Sequence, residues 1–101
     1  MPAYWLARAK IFDPVAYKRY TDPLPPLMKK HGGKVLCRGG AFKVMEGTTP
    51  YERFIAVEFP SMEAAEALFN SPEYVEAAKH RRANGVAMNE LVIVEGGDAT
   101  K

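Results

Sequence analysis

The stretch RFIAVEFPSMEAAEALF, residues 53–69, joins a strand to a helix and decides the fold class. Its first part, RFIAVEF (53–59), is short and rich in β-branched and aromatic residues, as strands are. Ser61 then provides an N-cap, and the residues after it place their apolar side chains on one helical stripe. A strand followed directly by an amphipathic helix indicates that helices pack against a sheet.

Further strands and helices are predicted on both sides of this unit. The other strands are predicted at 3–12, 34–46 and 88–95, the second with a bulge at Gly39–Gly40. A helix is predicted after Asp13, interrupted by prolines near Thr21–Leu24, and another is predicted after Ser71.

The resulting order, βαββαβ, is the ferredoxin-like pattern. It is an α+β fold in which a four-stranded antiparallel sheet carries its helices on one face. Residues 1–96 form a single domain in this interpretation, and residues 97–101 are expected to be a flexible C-terminal tail.

The strands are apolar on both faces. Phe54 and Ala56 point away from Ile55 and Val57, and ELVIVE (90–95) shows the same pattern. A sheet with one face in water alternates apolar and polar residues more cleanly, and helices on one face leave the other uncovered. We therefore predict a homodimer in which a second copy covers the remaining face.

Composition excludes several classes of function. The chain has 101 residues, 26% of them charged, and a net charge of +2, which is too small to indicate nucleic-acid or membrane binding. The run KHRR (79–82) is interpreted as a solvated helix face, and the single cysteine, Cys37, as a small buried thiol. Arg8 and Lys10 interrupt any signal-peptide apolar run, no stretch is long and apolar enough to span a bilayer, and one cysteine cannot form an internal disulfide, so we expect a cytoplasmic protein. No metal-ligand or nucleotide motif is present, so we expect neither a cofactor nor a metal.

Four motifs in order give the chain a family resemblance. They are DPVAYKRY (13–20), HGGKVLCRGG (31–40), VEFPSMEAAEALFNSPEY (57–74) and LVIVEG (91–96). With them the chain resembles the DUF1330 family, small proteins of the dimeric α+β barrel group. The resemblance implies two ferredoxin-like subunits packed sheet to sheet, each with a cavity between its sheet and helices. Related barrels include cofactor-independent monooxygenases and lactone isomerases, although a shared fold does not establish a shared reaction.

Five residues are candidates for binding a ligand. Arg38 stands beside glycines that can redirect it, and Tyr17 and Tyr20 share a helix face because they are three residues apart. With His31 they are expected to face the space between the first helix and the sheet. Arg38 could instead form a salt bridge to an acid on a helix or on a partner. Glu58 either pairs with Arg8 across the sheet or acts as a general base in an apolar pocket.

Two classes of function remain open. A cation and phenol hydroxyls over apolar walls would suit a small oxygen-bearing organic molecule, with cofactor-free proton transfer or oxygenation as the reaction if there is one. The alternative is a non-enzymatic structural or stress-related dimer without a ligand. An open pocket with convergent polar groups favours the first class, and a filled core favours the second.

Overall fold

Four antiparallel strands form one sheet in the computed structural model, which describes residues 1–98. They are β1 (Ala3–Ile11), β2 (Lys34–Arg38), β3 (Arg53–Phe59) and β4 (Ala87–Glu95). Their spatial order is β2-β3-β1-β4, and every neighbouring pair is antiparallel. The predicted ferredoxin-like α+β fold is therefore confirmed. The predicted tail lies partly at 99–101, outside the described residues.

Four helices lie among residues 1–98, and three of them begin after a predicted capping residue. They are α1 (Pro14–Thr21), α2 (Leu24–Lys30), α3 (Met62–Asn70) and α4 (Pro72–Arg82). The side chains of Asp13, Ser61 and Ser71 each accept a hydrogen bond of 3.1 Å from a backbone N–H in the first turn of their helix. The predicted interruption near Thr21–Leu24 is the boundary between α1 and α2. None of these helices is both long and apolar enough to cross a membrane.

The core lies between the helices and one face of the sheet. Trp5 on β1 is 1% exposed and contacts the ring of Tyr74 on α4 edge-on, with 5.4 Å between the ring centroids. Val57 and Phe59 on β3 and Leu68 on α3 are also fully buried in this layer. Burial of these large side chains is the main force that holds the helices on the sheet.

The second strand is shorter than predicted. β2 ends at Arg38, and Gly39 takes a φ of +72°, which turns the chain out of the extended conformation after its N–H bonds to the Phe54 carbonyl at 3.1 Å. The prediction of a strand to residue 46 is therefore wrong. The β-bulge lies between Val35 and Cys37, so its predicted place at Gly39–Gly40 is also wrong.

The sheet face opposite the helices is uncovered in the single chain. Leu6 on the inner strand β1 and Val92 on the edge strand β4 are register partners on this face and are 39% and 51% exposed, and Val94 is also exposed. Cys37 lies on this face as well, opposite Ala56, and is exposed rather than buried as predicted, because β2 is an edge strand.

Candidate ligand-binding site

A cavity of about 40 Å³ lies between α1, α2 and α4 on one side and the sheet on the other. We refer to it as the helix–sheet cavity. Its apolar walls are Trp5, Ala7, Leu24, Met28, Ile55 and Leu91. Its polar lining is Tyr17, Tyr20, Thr21, Arg38, Arg53, Arg81 and Asn89. The volume suits three or four water molecules or a small acid group, since a water needs about 10–15 Å³ of such space.

The polar lining carries positive charge. Arg38 on β2 pairs with Ile55 on β3, and Arg53 stands two residues before Ile55, so both arginines lie on the helix side of the sheet. Arg81 reaches the cavity from α4 and is 8% exposed. No Asp or Glu of residues 1–98 lines the cavity. Three guanidinium groups without a lining carboxylate favour an anion.

Several polar atoms of the lining have no hydrogen-bond partner within the described chain. They are Arg53 Nε, Arg81 Nε and Asn89 Oδ1, and all three are buried. The amide NH2 of Asn89 does have a partner, since its Nδ2 donates to the Tyr17 hydroxyl at 3.3 Å. Buried polar atoms normally have a partner, so unpartnered ones around one cavity suggest a role in binding.

A buried hydrogen-bond network fixes one side of the cavity. The hydroxyl groups of Tyr20 and Tyr74 lie 2.8 Å apart, and Arg81 Nη2 donates to the Tyr74 hydroxyl at 3.1 Å. The Arg81 guanidinium also lies over the Tyr20 ring, 5.0 Å from its centroid. Burial, with Tyr74 beside it, raises the pKa of Tyr20 well above its ordinary value. Tyr20 is therefore a neutral phenol at ordinary pH and a hydrogen-bond donor rather than a base.

The structure brings three of the five candidate residues together. Arg38, Tyr17 and Tyr20 all line the helix–sheet cavity. His31 is the C-cap residue of α2 and lies outside the cavity lining, with its Nε2 buried and unpartnered. Ligand binding by Arg38, Tyr17 and Tyr20 stays a prediction, and so does any role of His31.

Glu58 lies on the uncovered face of the sheet and away from the cavity. Its register partner on β1 is Tyr4, and Glu58 raises the pKa of Tyr4 through a side-chain hydrogen bond and its negative charge. The predicted pairing of Glu58 with Arg8 is wrong because Arg8 lies four residues further along β1. Arg8 pairs with Glu90 instead, at 2.6 Å between Nη2 and Oε1.

The family model of DUF1330, a domain of unknown function, matches residues 2–97. The chain belongs to the DUF1330 family. A search of curated proteins finds no match to this DUF1330 chain.

Solved structures share the fold of this DUF1330 protein. A protein of unknown function from Rhodopseudomonas palustris is 25% identical, with a TM-score of 0.77 over 96% of this chain and 83% of that one. A dimeric ferredoxin-like protein of unknown function from Jannaschia sp. CCS1 is 18% identical, with a TM-score of 0.68 over 95% of this chain and 100% of that one. SnoaB, a cofactor-independent oxygenase from Streptomyces nogalater, is 9% identical, with a TM-score of 0.62 over 97% of this chain and 95% of that one.

Arg53, Asn89 and Arg81 line the cavity of the DUF1330 chain but were not predicted from its sequence. Arg53 and Asn89 are the register partners of Ala9 on either side of β1, and they face the helices from the same strand faces as Ile55 and Leu91. A polar residue among apolar ones on one strand face is visible in the sequence, but the strand pattern does not show that this face lies under the helices. Arg81 is buried, which corrects the interpretation of KHRR as a fully solvated face, whereas its neighbours Lys79, His80 and Arg82 are exposed. Arg81 follows Tyr74 by two helical turns, and this spacing places both on the buried face.

Proposed function

We propose that this chain binds a small organic anion, an oxygen-bearing molecule with a carboxylate or enolate group, in the helix–sheet cavity. The observation that carries the proposal is the lining: three arginines converge there, and no carboxylate of residues 1–98 neutralises them. Guanidinium groups bind carboxylates through paired, charge-assisted hydrogen bonds.

The size of the cavity limits what enters it. At about 40 Å³ it is far below the roughly 300–1,000 Å³ that encloses a drug-sized molecule. Either the whole ligand is a small acid, or its anionic end enters while the rest extends past Arg38, the exposed member of the arginine trio. The apolar walls of Leu24, Met28 and Leu91 favour an aliphatic part beside the charged group.

Anion stabilisation is the chemistry that this lining supports. No carboxylate or imidazole of residues 1–98 lines the cavity to act as a general base, and Tyr20 is held as a neutral phenol. Cofactor-free proton transfer or oxygenation is the second candidate, supported by the likeness of the fold to SnoaB, a cofactor-independent oxygenase. In such a reaction, the arginines would stabilise an enolate or phenolate that the substrate itself forms.

The functional unit in this proposal is a homodimer that covers the open sheet face. Leu6, Val92 and Val94 leave apolar surface exposed there, and a second copy would bury it. The related protein from Jannaschia sp. CCS1 is described as dimeric, which supports the same arrangement here.

Isothermal titration of the purified chain with acetate, propionate and pyruvate, each compared with its neutral amide, tests the proposal. We expect the acids to bind and the amides not to bind. Arg38→Met and Arg53→Met should each weaken binding by about tenfold, because each removes charged hydrogen-bond donors.

Arg19→Met is the matched control, since Arg19 is an exposed arginine on α1 outside the cavity. It should bind the acids like the wild type. If acids and amides bind equally, or if none binds while the chain remains folded, the anion proposal fails and the alternative of a dimer without a ligand is preferred.

A further inference from the structure

We infer that the preferred ligand is a small hydroxy acid, whose carboxylate contacts the arginines and whose hydroxyl group donates a hydrogen bond to Asn89. This inference rests on the proposed anion site and adds a substrate class to it. It depends on which unpartnered atoms of the cavity lining are hydrogen-bond donors and which are acceptors, and not on the net charge of the lining.

The donors of the cavity match a carboxylate. Arg53 Nε and Arg81 Nε are buried N–H groups without a partner among residues 1–98. The Tyr17 hydroxyl accepts a hydrogen bond from Asn89 Nδ2, which leaves its own proton available to donate. A carboxylate has about four lone-pair sites, which is enough in number for these three donors.

Asn89 provides an acceptor in a lining otherwise dominated by donors. Its Oδ1 is buried and has no partner in the described chain, while its Nδ2 is held by Tyr17. A simple carboxylate cannot satisfy Oδ1, because an ionised carboxylate has no hydrogen to donate. A hydroxyl group on the same ligand can, and leaving a buried acceptor unsatisfied costs free energy.

The position and surroundings of Asn89 agree with this role. Asn89 lies on β4 opposite Ala9 and two residues before Leu91, on the side of the sheet that faces the helices. Its Oδ1 is shielded from solvent, so binding requires the amide to rotate toward the ligand and give up its 3.3 Å hydrogen bond to Tyr17. The cavity has room for few non-hydrogen atoms, so the hydroxyl group must lie close to the carboxylate, as it does in a 2-hydroxy acid.

Matched pairs of acids test the inference on the wild-type chain. Glycolate is compared with acetate, and each enantiomer of lactate with propionate, by isothermal titration. We expect glycolate and one lactate enantiomer to bind at least about tenfold more tightly than their partners without the hydroxyl group, since one added hydrogen bond to a buried acceptor is of that order.

The variant Asn89→Leu separates the hydroxyl contact from the carboxylate contacts. It has a similar shape without the amide, so it should bind lactate and propionate with the same affinity, even where loss of the Asn89–Tyr17 hydrogen bond weakens the binding of both. Equal binding of hydroxy and plain acids by the wild type would overturn the inference and leave the anion proposal standing. Binding of no acid at all would overturn both. If Asn89→Leu does not fold, the wild-type comparison alone decides.

Discussion

The hydroxyl groups of Tyr20 and Tyr74 lie 2.8 Å apart in the core, although 54 residues separate them in sequence. Tyr20 belongs to α1 and Tyr74 to α4, so this contact joins the first half of the fold to the second. Arg81 also donates to Tyr74, which makes the Tyr74 oxygen the centre of the buried network. The same network forms part of the wall of the helix–sheet cavity through Tyr20 and Arg81.

The first prediction concerns the centre of this network. Tyr74→Phe should lower the free energy of unfolding by about 1–3 kcal/mol, because it leaves the Tyr20 hydroxyl and Arg81 Nη2 without their buried partner. Tyr20→Phe should cost less, since the bond between Arg81 and Tyr74 survives. Urea unfolding of both variants and the wild type measures the difference. If Tyr20→Phe is the more destabilising change, the Tyr74 hydroxyl is not the centre of the network.

The second prediction concerns alkaline pH. The pKa of Tyr20 is raised by burial and by Tyr74, so in the unfolded chain this phenol loses its proton at a lower pH than in the folded chain. The folded state then holds more protons than the unfolded state above the ordinary tyrosine pKa of 10.0. Stability should therefore be fully present below pH 10 and fall as the pH rises above it, by up to about 1.4 kcal/mol per pH unit.

Tyr20→Phe isolates this effect from the other groups that titrate in the same range. Urea unfolding at pH 8, 9, 10 and 11 should show a smaller loss of stability in the variant than in the wild type. Parallel curves for the two proteins would contradict the assignment of this titration to Tyr20.

The third prediction uses two adjacent glycines with different surroundings. Gly39 has a φ of +72°, and a Cβ added to it would lie 2.6 Å from Arg53 Nη1. Gly39→Val should therefore cost about 1–3 kcal/mol of unfolding free energy through backbone strain, and it should displace Arg53 from the cavity. Weaker binding of acids should accompany the loss of stability.

Gly40 is the control for this change. A Cβ at Gly40 meets no atom within 4 Å, and its φ lies outside the left-handed region. Gly40→Val should thus change stability and binding little, which thermal unfolding and titration can check side by side. Equal effects at both positions would contradict the role assigned to Gly39.

The sequence predicts the fold better than the site because the two depend on different kinds of information. Caps such as Asp13 and Ser61 act within a single turn of chain, so a local pattern is enough to place their helices. The end of β2 depends on a tertiary detail. The residues after Arg38 alternate like a strand, but the chain turns at Gly39 beside Arg53, which comes from another strand.

The site shows the same limit. Tyr17 and Tyr20 are recognisable from their spacing on one helix, and both line the cavity. Arg53 stands in a strand that is apolar on both faces, so the strand pattern alone does not show which face is buried under helices. Arg81 stands in a run of four basic residues, and only its packing against Tyr74 and Tyr20 distinguishes it from the exposed residues beside it.

The fourth prediction concerns the uncovered sheet face. Val92 is 51% exposed in the middle of the edge strand β4, opposite Leu6 on β1, whereas Val75 is 40% exposed on α4. In a dimer that packs sheet to sheet, Val92→Lys places a charge inside the interface, where its desolvation is costly. Val75→Lys places the same charge on a helix surface that such an interface leaves in water. Both changes are on exposed positions of the single chain, so neither should unfold it.

Light scattering after size-exclusion chromatography at micromolar concentration distinguishes the outcomes. The wild type and Val75→Lys should elute with the mass of two chains, and Val92→Lys with the mass of one. Circular dichroism should show the same helix and strand content in all three. A wild type that is monomeric would contradict the homodimer itself. A dimer that survives Val92→Lys but not Val75→Lys would place the interface on the helices instead of the sheet.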